Sequence, residues 1–295
     1  LVVAARRWDA TVMEGSFMAS VHSDNNPLGQ VSAYRDTYDP SVLFSIERDE
    51  SWKTQGLERN QIAFFGVDIW NAYEISWLNT KGKPLVCTAE FRIPATSRYL
   101  IESKSFKLYL NSFNQSRFDS VDAVKAFMVA DLSAAAGVVK ETPVDVIFHG
   151  FDTQFPSAPN AKCLDDIDID VASYELDPEF LRTRGDDIFD GWLCSHLLKS
   201  NCPVTGQPDW GSIFVYYRGA KIDEAGLLQY IISLRQHQDF HEQCVERTFR
   251  DISLRCQPEA LTVYARYVRR GGLDINPFRS SMVDAKAENF RLFRQ

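Results

Sequence analysis

Cys202 and Asp209 stand seven residues apart in the segment Leu198-Lys-Ser-Asn-Cys-Pro-Val-Thr-Gly-Gln-Pro-Asp-Trp210. Pro203, Gly206 and Pro208 lie between them. A continuous helix is excluded, because proline removes a backbone donor and clashes with the preceding turn. Read as a strand end entering a structured loop, the segment can direct a thiol and an acid into one pocket. A thiolate is a strong nucleophile near neutral pH, and a nearby protonated carboxyl can deliver a proton to the adduct. Cys202 is therefore the candidate nucleophile and Asp209 the candidate acid. The plainer reading is a buried cysteine in a turn whose aspartate bonds its own backbone.

Other stretches offer binding chemistry. Asp239-Phe-His241-Glu242 opens a helix, and Asp239 with Glu242 three residues on has the layout of a capping box. Its chemical reading makes Glu242 a carboxylate that accepts two donors from a guanine-like heterocycle, with His241 beside it. Glu102-Ser-Lys104-Ser-Phe-Lys107 sets two lysines near the unpaired backbone donors of a helix start. That suits a phosphate, or is an ordinary solvated face. Arg269-Arg270-Gly271-Gly272 joins cations to a tight turn, which can hold another phosphate or be only a hairpin turn. No G-x-G-x-x-G follows a strand and no G-x-x-x-x-G-K-S/T occurs, so a nucleotide would bind without either cradle. The acidic run Asp165-Asp-Ile-Asp-Ile-Asp170 is read as solvated linker rather than a metal site.

The elements that position these residues follow from periodicity. Residues 63–78 alternate apolar and polar side chains, Asn79 to Pro84 turn, and 85–93 form a second strand, which predicts a hairpin. Phe106, Leu110 and Phe113 share one helical face. Ser120 is a good N-cap for a second helix, and 143–150 reads as a strand. The second half repeats this pattern. Strands at 191–198 and 212–217 flank the cysteine loop, Asp223 caps a helix, another begins near Asp239, and 261–275 gives strand, turn and strand. Residues 18–60 read as a polar arm over the surface, and 151–187 as a loop-rich connection. The pattern predicts two α+β domains with antiparallel sheets, not a parallel doubly wound fold.

Composition narrows the function. A net charge of −8 argues against nucleic acid as an obligatory partner. No apolar run approaches the roughly 20 residues of a membrane helix. The six cysteines form no C-x-x-C pair and the five histidines make no cluster with them in sequence, so no structural zinc site is expected. A disulfide scaffold is not expected at this length, which suits a reducing, cytoplasmic setting. Residues 1–17 have neither an apolar signal core nor a cleavage site, and Met18 is a candidate start; residues 1–30 are expected to be a poorly ordered extension.

Taken together, four motifs resemble one family. Glu102-Ser-Lys-Ser-Phe-Lys-Leu-Tyr-Leu-Asn-Ser-Phe113 resembles the signature of the NADPH-dependent 7-cyano-7-deazaguanine reductases, the nitrile reductases of queuosine biosynthesis. Cys202 to Asp209 is similar to that family's catalytic segment, and His241-Glu242 and Arg270-Gly271 match in the order of its long form. The resemblance runs from about residue 27 to the C-terminus. It implies two tandem tunnelling-fold modules, each an antiparallel sheet with helices on one face, at residues 31–160 and 161–295.

The implied reaction is the four-electron reduction of a nitrile to a primary amine with two NADPH and no metal. On this resemblance Cys202 attacks the nitrile carbon to give a covalent thioimide and Asp209 supplies the proton, a capture that splits a difficult reduction into easier steps. Glu242 and His241 would anchor the deazaguanine, with Ile101, Glu102 and Ser103 on its other side. Ser103, Lys104, Arg270 and Gly271 would hold the cofactor. A homodimer is implied, with no nucleic acid or membrane partner. Two rivals remain at this stage: a cyclohydrolase or pterin-type enzyme of the same fold, and a non-catalytic purine-binding module with an inert Cys202.

Overall fold

The computed structural model describes residues 35–54, 56, 58 and 64–295. The expected extension 1–30 and the candidate start at Met18 lie outside these residues. In chain order the described elements are β1 (Ser45–Glu47), α1 (Arg48–Thr54), β2 (Phe65–Leu78), β3 (Pro84–Pro94), β4 (Tyr99–Ile101), α2 (Ser103–Ser112), α3 (Val121–Ala136), β5 (Asp145–His149) and β6 (Ala161–Cys163). There follow β7 (Thr183–Ser195), β8 (Lys199–Asn201), β9 (Pro208–Ile222), α4 (Glu224–Ser233), α5 (His241–Cys256), β10 (Ala260–Tyr267) and β11 (Leu273–Ser280).

Strict alternation along the strands builds one large sheet with two different faces. In β9, Ile213, Val215 and Tyr217 face α4 and α5, while Phe214 faces the other way; Val263 and Ala265 of β10 flank Tyr264 in the same manner. In β2, Trp70 and Ala72 meet α2 and α3, and Ile69 points to the opposite face. There Phe278, Ala287 and Phe290 cover it, so the C-terminal segment seals the side that carries no helix.

The helices form where periodicity and caps agree. Val124, Met128, Leu132 and Ala136 make one fully buried stripe on α3. Each large member contributes roughly 1.5–3 kcal/mol through burial. Ser120 Oγ accepts from Ala123 N–H at 3.0 Å to start that helix, and Gly137 ends it at φ 63°. Phe106, Leu110 and Phe113 are all buried against the same sheet.

The sheet order is β5-β3-β2-β11-β10-β9-β7-β6, with β8 beside β9. Instead of two separate sheets, the halves share one, because β11 pairs with β2 from Leu273↔Ala72 to Ser280↔Phe65. The first half contributes β2, β3 and β5, and the second β7, β9, β10 and β11. β6 does not return to β5 but runs parallel to β7 at the far edge. The fold is α+β, as the sequence pattern predicts.

Several local expectations change. The arm after residue 35 is not superficial: β1 pairs with β4, and α1 buries Arg48 and Trp52 completely. Asp223 sits at the N-cap of α4, but its carboxylate accepts from Arg182 and Arg184 rather than from the helix. The cap of α5 is Phe240, one residue later than expected. Asp165 is not free linker, since it accepts from Ser195 Oγ and from His196 N–H.

Candidate functional site

The β8–β9 hairpin explains the placement of Cys202. Its N–H donates to Gln207 O and its carbonyl accepts from Gly206 N–H, both at 2.9 Å. Closing so short a loop requires a left-handed residue, and Gly206 supplies it at φ 64°. Pro208 begins β9, Asp209 pairs with Ser200 in register, and the chain returns past the cysteine. A cavity of about 360 Å³ opens at this point, and both Cys202 and Asp209 line it.

A second hairpin brings the cations. Arg270 N–H donates to Leu273 O at 2.7 Å, and Gly271 and Gly272 both hold positive φ between β10 and β11. That is the two-residue turn which requires positive φ at both central positions, a conformation glycine adopts without strain. Arg270 leaves the turn toward the cysteine loop. It donates to Asp209 Oδ1 at 2.8 Å, to Thr205 Oγ1 at 3.4 Å and to Gln207 Oε1. Arg269 turns away and lies over the Tyr73 ring at 4.5 Å, so one of the two adjacent arginines reaches the cavity.

Asp209 is held as an anion. Burial raises its pKa, but His241, with Nε2 at 3.5 Å from Oδ2, and Arg270 outweigh that and keep the carboxyl below its usual range. The protonated acid expected from sequence is thus ionised while Arg270 rests on it. His241 is itself fixed by stacking on Tyr267, with centroids 3.8 Å apart and planes at 11°.

Glu242 behaves in the opposite way. It is the second residue of α5, and the capping role that would explain it belongs to its neighbour: Gln243 Oε1 accepts from Phe240 N–H at 2.9 Å. No other described residue is hydrogen-bonded to its carboxylate, which is buried and lines the cavity. Burial, and then the charge of Asp68, push its pKa up to about 7. An acceptor so placed suits a ligand that brings its own N–H donors.

Glu102 has the role that Glu242 lacks. It is the N-cap of α2 and accepts from Lys104 N–H and Ser105 N–H, each at 2.7 Å. The helix donors expected for a phosphate are therefore already taken by this carboxylate, and burial raises its pKa. Cationic capacity at that end comes from the side chains of Lys104 and Lys107, both on the cavity wall.

The cavity thus unites Ile101, Glu102, Ser103, Lys104, Cys202, Asp209, His241, Glu242 and Arg270. Gly271 stands behind Arg270 in the turn and is not on the wall. Sequence reasoning missed the apolar floor, where Trp70, Leu273 and Ile275 make a flat surface. Trp70 faces inward by its parity on β2, a signal available from the alternation alone. Ile46 of the arm and Leu100, next to Ile101 in β4, also line it.

Comparison with known proteins places the chain in one lineage. A family model described as "Nitrile reductase, 7-cyano-7-deazaguanine-reductase N-term" matches residues 34–145, and one described as "QueF-like protein" matches residues 208–286. The NADPH-dependent 7-cyano-7-deazaguanine reductase of Azoarcus sp. is 52% identical over 273 residues, covering 92% of this chain and 96% of its own. That of Dechloromonas aromatica is 52% identical over 277 residues, with the same two coverages. That of Hydrogenovibrio crunogenus is 53% identical over 275 residues, 92% of this chain and 98% of its own. A crystal structure titled as the archaeosine synthase QueF-Like in the apo form aligns with 34% of this chain at 17% identity and a TM-score of 0.29, a likeness too low to carry a conclusion. Half of the relatives' residues and nearly all of their length recur in this sequence, and the chain belongs to the NADPH-dependent 7-cyano-7-deazaguanine reductase family.

Proposed function

We propose that the chain, an oxidoreductase of this family, reduces 7-cyano-7-deazaguanine through a covalent adduct on Cys202. The cavity that holds the adduct lies where two tandem tunnelling-fold modules, residues 31–160 and 161–295, meet across one sheet. The observation that supports this most directly is that Cys202, Asp209, the unpaired acceptor Glu242 and the cations Lys104, Lys107 and Arg270 line one cavity. Glu242 accepts two N–H donors of the deazaguanine edge, with His241 beside it. Ile101, Glu102 and Ser103 close over the other side of the ring, and Trp70 and Ile275 give its face an apolar bed.

The residues also suit the dinucleotide. A volume of about 360 Å³ has room for the bicyclic base and a nicotinamide ring beside it but not for a whole dinucleotide, so phosphates fall at the rim, where Arg270, Lys104 and Lys107 stand. Ser103, Lys104 and Arg270 would hold it there, with Gly271 shaping the turn that aims Arg270, and each of two molecules bound in succession would supply one hydride.

Cys202 Sγ attacks the nitrile carbon, and the nitrogen takes a proton to give the thioimide. After the first reduction, carbon carries both sulfur and amine; the C–S bond breaks, returning the thiolate and leaving an imine. After the second reduction and a further proton, the primary amine leaves. The sum is one nitrile, two NADPH and two protons to one amine and two NADP⁺. Asp209 relays the first proton to the nitrogen once the incoming nitrile displaces Arg270 from its carboxylate, since losing that cation raises the carboxyl's pKa.

The cyclohydrolase reading predicts zinc ligands or a hydrolytic base near this cavity. The group of three such side chains found among the described residues, Cys163, Cys194 and His196, lies outside it. No helix among the described residues is long and apolar enough to cross a membrane. The family homodimer accompanies this reading and is tested by light scattering.

Intact-protein mass spectrometry after mixing with the nitrile, without NADPH, tests the mechanism. The expected result is a gain of one whole nitrile molecule that disappears in Cys202→Ala. Turnover with NADPH in the absence of any adduct, or an adduct that survives Cys202→Ala, would reject Cys202 as the nucleophile.

A further inference from the structure

We infer that Cys163, Cys194 and His196 form a binding site for one soft divalent metal ion of the zinc type, on the sheet face opposite the catalytic cavity. In sequence these residues are scattered, and nothing about their spacing suggests a site. The parallel pairing of β6 with β7 assembles it, by setting Cys163 directly beside Cys194. His196 follows just past the end of β7, and its ring meets Phe214, which packs on the same face as Cys194. That face is the one sealed by the C-terminal segment, since Cys194 packs with Phe214, Tyr264 and Phe290. One ligand atom from each of the three residues lies within 4.8 Å of the others.

This donor set has a defined preference. Two thiolates and an imidazole select zinc-like ions over magnesium or calcium, which take oxygen ligands. Around tetrahedral zinc, ligand atoms stand roughly 3.5–3.8 Å apart, so closure needs side-chain movement of at most about 1 Å. Both thiols would release their protons to solvent on binding. Cys163 is exposed, which leaves the fourth position open to water.

The surroundings are built rather than incidental. Leu164 N–H donates to Cys194 O at 2.8 Å, locking the two strands at the paired cysteines. Asp165 takes Ser195 Oγ at 2.6 Å and His196 N–H at 2.9 Å, which fixes the backbone between two of the ligands. His196 Nδ1 is engaged by Ser212 Oγ at 2.8 Å, leaving Nε2 for the metal, the arrangement by which outer groups orient metal-bound histidines. Phe293 packs edge-on against the same ring, and Arg294 donates to His196 O at 2.8 Å. An ion at this place would tie the three-residue edge strand β6, the connection between the halves and the C-terminus into one unit.

Cobalt titration of the reduced full-length protein tests this. The expected result is one equivalent per chain, with a thiolate-to-cobalt charge-transfer band and the strong visible absorption of a tetrahedral site, both displaced by zinc. The spectrum should persist in Cys202→Ser and vanish in Cys163→Ser, an exposed substitution that leaves the core untouched. Zinc should raise the melting temperature of the wild type and not that of Cys163→Ser. Absence of the band in the wild type, its survival in Cys163→Ser, or its loss in Cys202→Ser would overturn the proposal. So would a reduced protein that takes no cobalt but loses two hydrogens to mild oxidant, which would make the cysteines a disulfide pair.

Discussion

As the proposed acceptor for the substrate's N–H donors, Glu242 is a carboxylate whose burial sets when it can bind. With its pKa pushed up to about 7, half of the molecules carry a proton there at neutral pH and cannot accept two donors. Between pH 8 and pH 6 the competent fraction falls about tenfold, so KM for the nitrile should rise about tenfold as pH falls. In Glu242→Gln, KM should be high and flat across the same range. A wild-type KM that ignores pH would remove Glu242 as the acceptor. Stability moves the other way. A carboxyl raised in the folded state favours folding below its unfolded pKa, near 4.5, and loses that contribution as pH rises through about 7. Glu242→Gln should therefore melt several degrees above wild type at pH 8 and match it at pH 4, a difference scanning calorimetry resolves. The sequence made Glu242 ambiguous because a carboxylate near a helix start is usually a cap. Cap assignment depends on one residue of register, and Phe240 with Gln243 takes that duty in the fold. That Cys202 and Asp209 reach one cavity was legible because proline and glycine restrict the backbone between them to a turn.

At the scale of elements, the β8–β9 hairpin is the part that aims Cys202, the proposed nucleophile. Both backbone groups of Cys202 are bonded within the loop, and the loop closes through Gly206 in the left-handed region. A Cβ added at Gly206 would meet nothing within 4 Å, so an alanine there costs only backbone strain, about 1–2 kcal/mol. Gly206→Ala is expected to lower the denaturant midpoint by that amount. It should also lower the rate of adduct formation on Cys202 more than it raises KM, because Glu242 and the ring bed sit on other elements. Equal effects on both would mean that the loop positions the substrate rather than the thiol. The strands and helices themselves follow from alternation and period. Two features did not. The pairing of β6 with β7 escaped because a three-residue strand carries almost no pattern. The buried course of β1 and α1 escaped because their polar residues are satisfied by partners far away in the chain. Arg48, for example, meets Glu246 at 3.4 Å across 198 positions.

That distant contact belongs to a buried quartet which couples the whole molecule to its site. Arg48 of α1 and Arg279 of β11 pair with Asp68 of β2 and Glu246 of α5, all four shielded from water. Trp52 Nε1 adds a donor to Glu246 Oε2 at 2.9 Å, and Arg48 Nε donates to Ser97 Oγ at 3.1 Å. The quartet spans both halves of the sheet and the N-terminal arm. Removing one cation leaves an uncompensated buried carboxylate, a loss of about 3–5 kcal/mol. Arg48→Met should show that loss in urea unfolding. It should also act at a distance, since the Asp68 charge raises the pKa of Glu242 and Arg48 lowers it. With Arg48 gone, the pKa of Glu242 climbs, and the pH at which KM begins to rise moves to higher values. A purely structural arginine would change stability and leave that midpoint in place. Measuring the KM profile of Arg48→Met in stabilising conditions, where the protein is fully folded, separates the two. A shifted midpoint with kcat preserved would establish that the arm of residues 45–54, read from sequence as mere covering, tunes the acceptor that holds the substrate.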